Sequence, residues 1–203
     1  MDASERAELE AVIAAHCAAS EYGAAATAAI KGYGPEILGY LLAATHREQE
    51  TAEIFSEFCE NLWRGLPGFR GEASFRTWSY RLAYHALARA ARDGIRKRRR
   101  TIAMAEVPEV EAIIDHVRTR TLPHMRTEIK AEVMRLREQL PEDDRTLLIL
   151  RVDRRLEWDE IASIIEPELP DAADVRRLSA TLRKRFERVK LKLRELAKDV
   201  PLD

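Results

Sequence analysis

Residues 68–100 read GFRGEASFRTWSYRLAYHALARAARDGIRKRRR. A glycine-broken segment opens the stretch and carries aromatics at Phe69, Phe75, Trp78 and Tyr80. Ser74 is placed to cap a long helix whose apolar side holds Phe75, Trp78, Leu82 and Leu87 and which runs to about Arg99. The stretch closes on Arg96, Lys97, Arg98, Arg99 and Arg100. Aromatic faces beside a cationic track are what single-stranded nucleic acid needs: stacking is worth roughly 1–3 kcal/mol per base, and the cations follow the phosphates. The same residues also suit a core-packed helix that ends in solvated charge, and the stretch alone leaves both readings open.

Working outward, nearly every segment has helical spacing, and strand-like alternation is absent. Ser4 with Ala7–Ala19 predicts a first helix, and Tyr22–Ile30 a second that ends at a break over Gly32-Tyr33-Gly34. Pro35 then opens a third, Pro35–Ala44. Glu48–Leu66 carries an apolar stripe of Ala52, Phe55, Phe58, Cys59, Leu62 and Trp63, with Glu50, Glu53, Glu57 and Glu60 on the other face. From Thr101 to about Met125 the pattern weakens between Pro108 and Pro123, which predicts a linker. A second helical unit follows. Ile129, Val133, Leu136 and Leu140 form a stripe broken by Pro141, and Glu142, Asp143 and Asp144 complement the N-terminus of the next helix, which continues through Leu147–Val152. The expected fold is all-α, with two helical domains: residues 1–100 (1–33 an extension), a linker over 101–125, and residues 126–203.

Composition narrows the function classes. The net charge of −1 hides strong segregation: Arg89–Arg100 and Arg176–Lys198 are basic, Glu48–Glu60 and Glu106–Asp115 acidic. Cys17 and Cys59 have no metal-ligand spacing and fit a reducing compartment. No window approaches the ~20 apolar residues of a membrane span, and the acidic start lacks the order of a signal peptide. A cytoplasmic protein without membrane contact is expected. The histidines, His16, His46, His85, His116 and His124, make no Glu-x-x-His or His-x-x-x-His pattern, and no glycine loop cradles phosphate. No metal, cofactor or enzymatic site is expected.

The C-terminal segments add a second nucleic-acid signal. A short helix at Trp158–Ile165 precedes a long one with Val175, Leu178, Leu182, Phe186, Val189, Leu193 and Leu196 at steps of three and four. Its opposite side carries Arg176, Arg177, Arg183, Lys184, Arg188 and Lys192. A short bracing helix before a longer basic one has the form of a helix-turn-helix, whose second helix enters the major groove.

Four segments in order resemble bacterial RNA polymerase sigma factors. Residues 51–63, TAEIFSEFCENLW, resemble the family's acidic-aromatic helix. Phe69-Arg70-Gly71 and 74–83, SFRTWSYRLA, resemble its promoter-melting segment. Residues 140–145, LPEDDR, with 158–162, WDEIA, and then 183–189, RKRFERV, and Leu193-Arg194 resemble its C-terminal helix-turn-helix. The two-domain layout resembles the small extracytoplasmic-function type. The resemblance implies a protein that binds core RNA polymerase, recognises a promoter, melts it and so starts transcription; the polymerase, not this chain, makes the bonds. Its partners would be core polymerase and promoter DNA, both duplex and melted non-template strand, and the family admits an anti-sigma factor. The reading from another class is a helix-turn-helix regulator that binds duplex DNA without polymerase.

Carried over by position, the resemblance assigns Glu53, Ser56, Glu57 and Glu60 to core polymerase. It assigns Phe69, Arg70, Ser74, Arg76, Tyr80, Arg81, His85 and Arg89 to the unwound minus-ten strand. Arg183, Lys184, Arg185, Arg188 and Lys192 go to the minus-thirty-five duplex. A helix presents one side, so the residues after Ser74 cannot all contact one strand. Ser56 stands where the family commonly has Gln, His85 at a usual Asn and Arg89 at a usual Asp. Glu166–Asp171 leads into Ala172–Ala180 where the family has a tight turn. Asp171 as a cap, with Val175 and Leu178 in phase with Leu182, predicts a recognition helix extended by about two turns. The alternative is a separate short helix, with a break at Ser179–Thr181.

Overall fold

The computed structural model describes residues 1–93, 135–166, 168 and 171–198. Among these there is no strand, as expected for an all-α chain. Among the described residues the fold is carried by the α-helices α1 (Ala3–Ala18), α2 (Tyr22–Thr45), α3 (Glu48–Gly65), α4 (Phe75–Asp93), α5 (Glu142–Leu148), α6 (Trp158–Ile165) and α7 (Ala172–Lys198). The linker expected at 101–125, the run Arg96–Arg100 and the stripe positions Ile129 and Val133 lie outside the described residues.

α2 corrects the break expected at Gly32-Tyr33-Gly34. It runs unbroken from Tyr22 to Thr45 with Pro35 inside it. An interior proline removes one hydrogen bond and crowds the preceding turn, but one buried face spans the junction: Ala26, Ala29, Ile30, Tyr33, Ile37, Leu38 and Leu41 are all at most 1% exposed. That shared burial outweighs the local break signals. Gly32 has a packing role, because a Cβ there would collide with the Leu9 side chain of α1. Asp2 caps α1 in a reciprocal box with Glu5.

α3 ends at Gly65, and Leu66-Pro67-Gly68 follows it as a single 3-10 turn. Its stripe of Phe55, Phe58, Cys59 and Leu62 is buried against α2 and α4. In the second unit, α5 passes into a π-turn over Ile149–Asp153, closed by Arg154 N–H donating to the Ile149 carbonyl at 3.0 Å. Arg155 then reverses the chain with a left-handed φ of 53°. Glu157 and Glu160 box the start of α6. α7 is continuous through Ser179–Thr181, as the extension requires; Asp171 caps it, accepting from Ala173 N–H at 2.7 Å and Asp174 N–H at 2.8 Å.

The helices on either side of residues 94–134 share one core. Leu147, Ile149, Leu150, Leu156, Ile161, Ala162, Ile164 and Leu182 join the buried cluster built by α2, α3 and α4. α6 lies directly on α4.

Candidate nucleic-acid and polymerase interface

α4 begins from the loop Phe69–Ser74, in which Gly71 supplies a left-handed turn (φ 72°). Phe69 is half-buried, its ring 5.1 Å from those of both Phe75 and Trp78. Arg70 and Glu72 point to solvent, and exposed Ser74 caps α4 by accepting from Thr77 N–H at 3.0 Å. Of the residues assigned to the melted strand, Phe69, Arg70 and Ser74 therefore lie together on an accessible loop.

The next members are placed differently. Tyr80 is fully buried and Arg76 only 6% exposed. Arg76 pairs with Glu36 of α2, donates to the Arg154 carbonyl at 2.7 Å and lies over the Tyr80 ring. Tyr80 donates its hydroxyl to the same Glu36 at 2.9 Å. Burial alone would raise the Glu36 pKa, but the bond and charge of Arg76, with the Tyr80 hydroxyl, outweigh it and hold the carboxyl below its ordinary value. Thr77 donates to Glu160 at 2.9 Å, and Arg81 reaches the Ser163 carbonyl at 3.2 Å. In this arrangement α6 and the π-turn cover the part of α4 that carries Arg76 and Arg81. His85 and Arg89 lie further along the helix. Burial, then Arg81, Arg89 and Arg92, push the His85 pKa down, and exposed Arg89 donates to Glu57 at 2.7 Å.

That last bond joins two assigned sites, since Glu57 belongs to the polymerase-facing set. Glu53 and Ser56 are exposed on the same side of α3, and Glu60 pairs with Arg64 at 2.6 Å. On α7, Lys184, Arg188 and Lys192 are exposed, and Arg183, also exposed, leans over Trp158 at 6.0 Å. Arg185 is the exception in the duplex set: Asp144 accepts from it at 2.6 Å, with Asp143 at 3.5 Å. The acidic first turn of α5 thus serves both its own N-terminus and the α7 contact. Trp158 packs edge-on against Phe186 and carries Arg151 on its face, locking α6 to α7 in a helix-turn-helix.

Residues 29–101 match the sigma-70 region 2 family. RNA polymerase sigma-H factor of Pseudomonas aeruginosa is 32% identical over 139 residues, which cover 66% of this chain and 71% of that protein. The chain belongs to the sigma factors of the sigma-70 family, extracytoplasmic-function type. Similarity extends to RNA polymerase sigma factor YlaC of Bacillus subtilis, 27% identical over 66% of this chain and 75% of the relative. It extends also to an ECF RNA polymerase sigma-E factor of Haemophilus influenzae, 26% identical over 68% of this chain and 74% of the relative. Within this sigma factor the polar groups that position α4 had no sequence signal. Glu10, Glu36, Arg154 and Glu160 each act across at least 40 residues, and only the fold brings them to Arg76 and Thr77. No described helix is long and apolar enough to cross a membrane, and no group of metal-ligating side chains occurs among the described residues.

Proposed function

We propose that this sigma factor divides its work between two helical units, residues 1–100 and 126–203, in the cytoplasm. It binds core RNA polymerase and directs it to promoters. The α3 face of Glu53, Ser56, Glu57 and Glu60 docks on the enzyme. The Phe69–Ser74 loop and the exposed side of α4 hold the unwound minus-ten strand, and α7 reads the minus-thirty-five duplex through Arg183, Lys184, Arg188 and Lys192. The chain supplies no bond chemistry of its own. An anti-sigma factor is a further partner that the family admits.

The observation that carries this reading is the position of the Phe69–Ser74 loop. It stands at the junction of an acidic helix and a cationic one, with Arg70 exposed beside Glu72 and Phe69 backed by rings. A loop offers backbone groups and ring edges that a splayed base can use. Arg76 and Arg81 reach the strand only after α6 and the π-turn leave α4 and Arg76 gives up Glu36, so the arrangement described is a closed form that opens on the polymerase. Tyr80 then serves as the floor that orients Arg76.

Run-off transcription with purified core polymerase tests the reading. Promoter-specific transcripts that require the chain are expected. Duplex binding by the chain without polymerase association would return the protein to the regulator class.

A further inference from the structure

We propose that α1 is a working part of the strand-holding site, in which Glu10 is a positioning residue. It fixes the first turn of α4 and, through that turn, the loop Phe69–Ser74. The inference rests on the assignment of that loop to the melted strand. α1 lies before residues 29–101, the stretch that matches the family.

The first four N–H groups of a helix have no partner within it. In α4 the three that follow the N-cap Ser74 are satisfied, from two sources. Ser74 serves the innermost: its hydroxyl accepts from Thr77 N–H at 3.0 Å, and its carbonyl starts the helical ladder by accepting from Trp78 N–H at 3.0 Å. The outer pair is served from 65 and 66 residues away. Glu10 Oε2 accepts from Phe75 N–H at 2.7 Å, and Oε1 from Arg76 N–H at 2.9 Å. The same Oε1 accepts the Tyr33 hydroxyl of α2. One carboxylate therefore ties α1, α2 and α4 together at the positive end of the α4 dipole, where a negative charge is favoured.

The loop inherits this fixation. Phe75 stacks on Tyr33 with centroids 6.2 Å apart, and Trp78 lies edge-on to Phe75 at 5.1 Å. Phe69, the loop's inward anchor, rests on both Phe75 and Trp78. A shift of the first turn of α4 moves the seat of Phe69, and with it Arg70 and Ser74. α1 is held firmly enough to serve as a reference point. Ile13 is fully buried, and Leu9 fills the notch that Gly32 leaves in α2.

The test uses holoenzyme reconstituted from core polymerase and the full chain, either native, Glu10→Ala or Glu10→Gln. The promoter is one mapped from run-off transcripts on genomic DNA of the organism. Core affinity and the permanganate reactivity of unpaired thymines are measured well below each variant's melting temperature. Glu10→Ala is expected to reduce open complex about tenfold, the equivalent of a lost helix cap, with core affinity unchanged. Glu10→Gln keeps one acceptor oxygen at the same reach and should fall between. Amide exchange in the free Glu10→Gln chain should quicken at residues 69–76 and stay native in α3, which decides the matter if the alanine variant does not fold. Native opening, an equal loss of core affinity and opening, or unchanged exchange at 69–76 overturns the proposal. If Phe69→Ala and Arg70→Ala leave opening intact, the strand assignment of the loop fails, while the exchange result still reports whether Glu10 positions it.

Discussion

Glu36 and His46 show how single half-buried groups govern this fold. Glu36 takes the charge of Arg76 and the hydroxyl of Tyr80 on one carboxylate. Glu36→Ala would strand the Arg76 guanidinium, whose side chain is 8% exposed. The expected loss is about 3 kcal/mol, the low end for breaking a buried pair because Glu36 keeps some solvent contact; urea unfolding measures it. His46 ends α2 in a left-handed conformation, with both ring nitrogens buried and without a hydrogen bond. Burial pushes its pKa down, Arg145 and Arg137 add to the shift, and Glu138 opposes it. Above about pH 6.5 the ring is neutral folded or unfolded. As pH falls below that value the unfolded chain takes up the proton first, so stability drops until the lower folded pKa is passed. The urea midpoint should therefore fall on mild acidification. His46→Asn, which tolerates the left-handed backbone, should flatten that slope and leave the share that His85 contributes in the same direction.

At the scale of elements, α3 and α7 divide the charge. The α3 face is acidic and half paired: Glu57 holds Arg89 and Glu60 holds Arg64, while Glu53 is exposed with no ion pair among the described residues. Charge reversal at Glu53 is the cleaner probe of polymerase docking, since reversal at Glu57 also releases Arg89. Glu53→Lys should weaken core affinity roughly tenfold and leave the melting temperature native, as read by co-purification and thermal unfolding. In α7, the Asp171 cap secures a segment that carries Val175 and Leu178 onto the core. Asp171→Ala should cost about 1 kcal/mol and raise amide exchange in the first turns of α7, leaving its later turns protected. The extension was legible because Asp171 and the phase of Val175, Leu178 and Leu182 are local signals. The passage of α2 through Pro35 was not, because the face that carries it is buried by α1, α3 and α4.

Among the described residues the arrangement is closed, with α6 on α4 and one core shared by the helices on either side of residues 94–134. A compact chain of 203 residues has a radius of gyration of about 17 Å. Small-angle scattering of the free protein should give that value, and residues 76–81 should lose amide protection when core polymerase binds. A much larger radius for the free chain would mean that the halves separate without polymerase. Helix period, caps and proline breaks act within a turn or two, so the sequence by itself determined the all-α class, the acidic and basic faces, the helix-turn-helix and the family pattern. Tertiary structure alone decided which members of the α4 set face solvent. Arg76 and Tyr80 share the helix with Arg89, yet they are buried, because Glu36, Arg154 and Glu160 reach their turn of α4 from 40, 78 and 83 residues away. No local pattern encodes a partner at that separation; packing brings the groups together, and desolvation then makes their pairing obligatory.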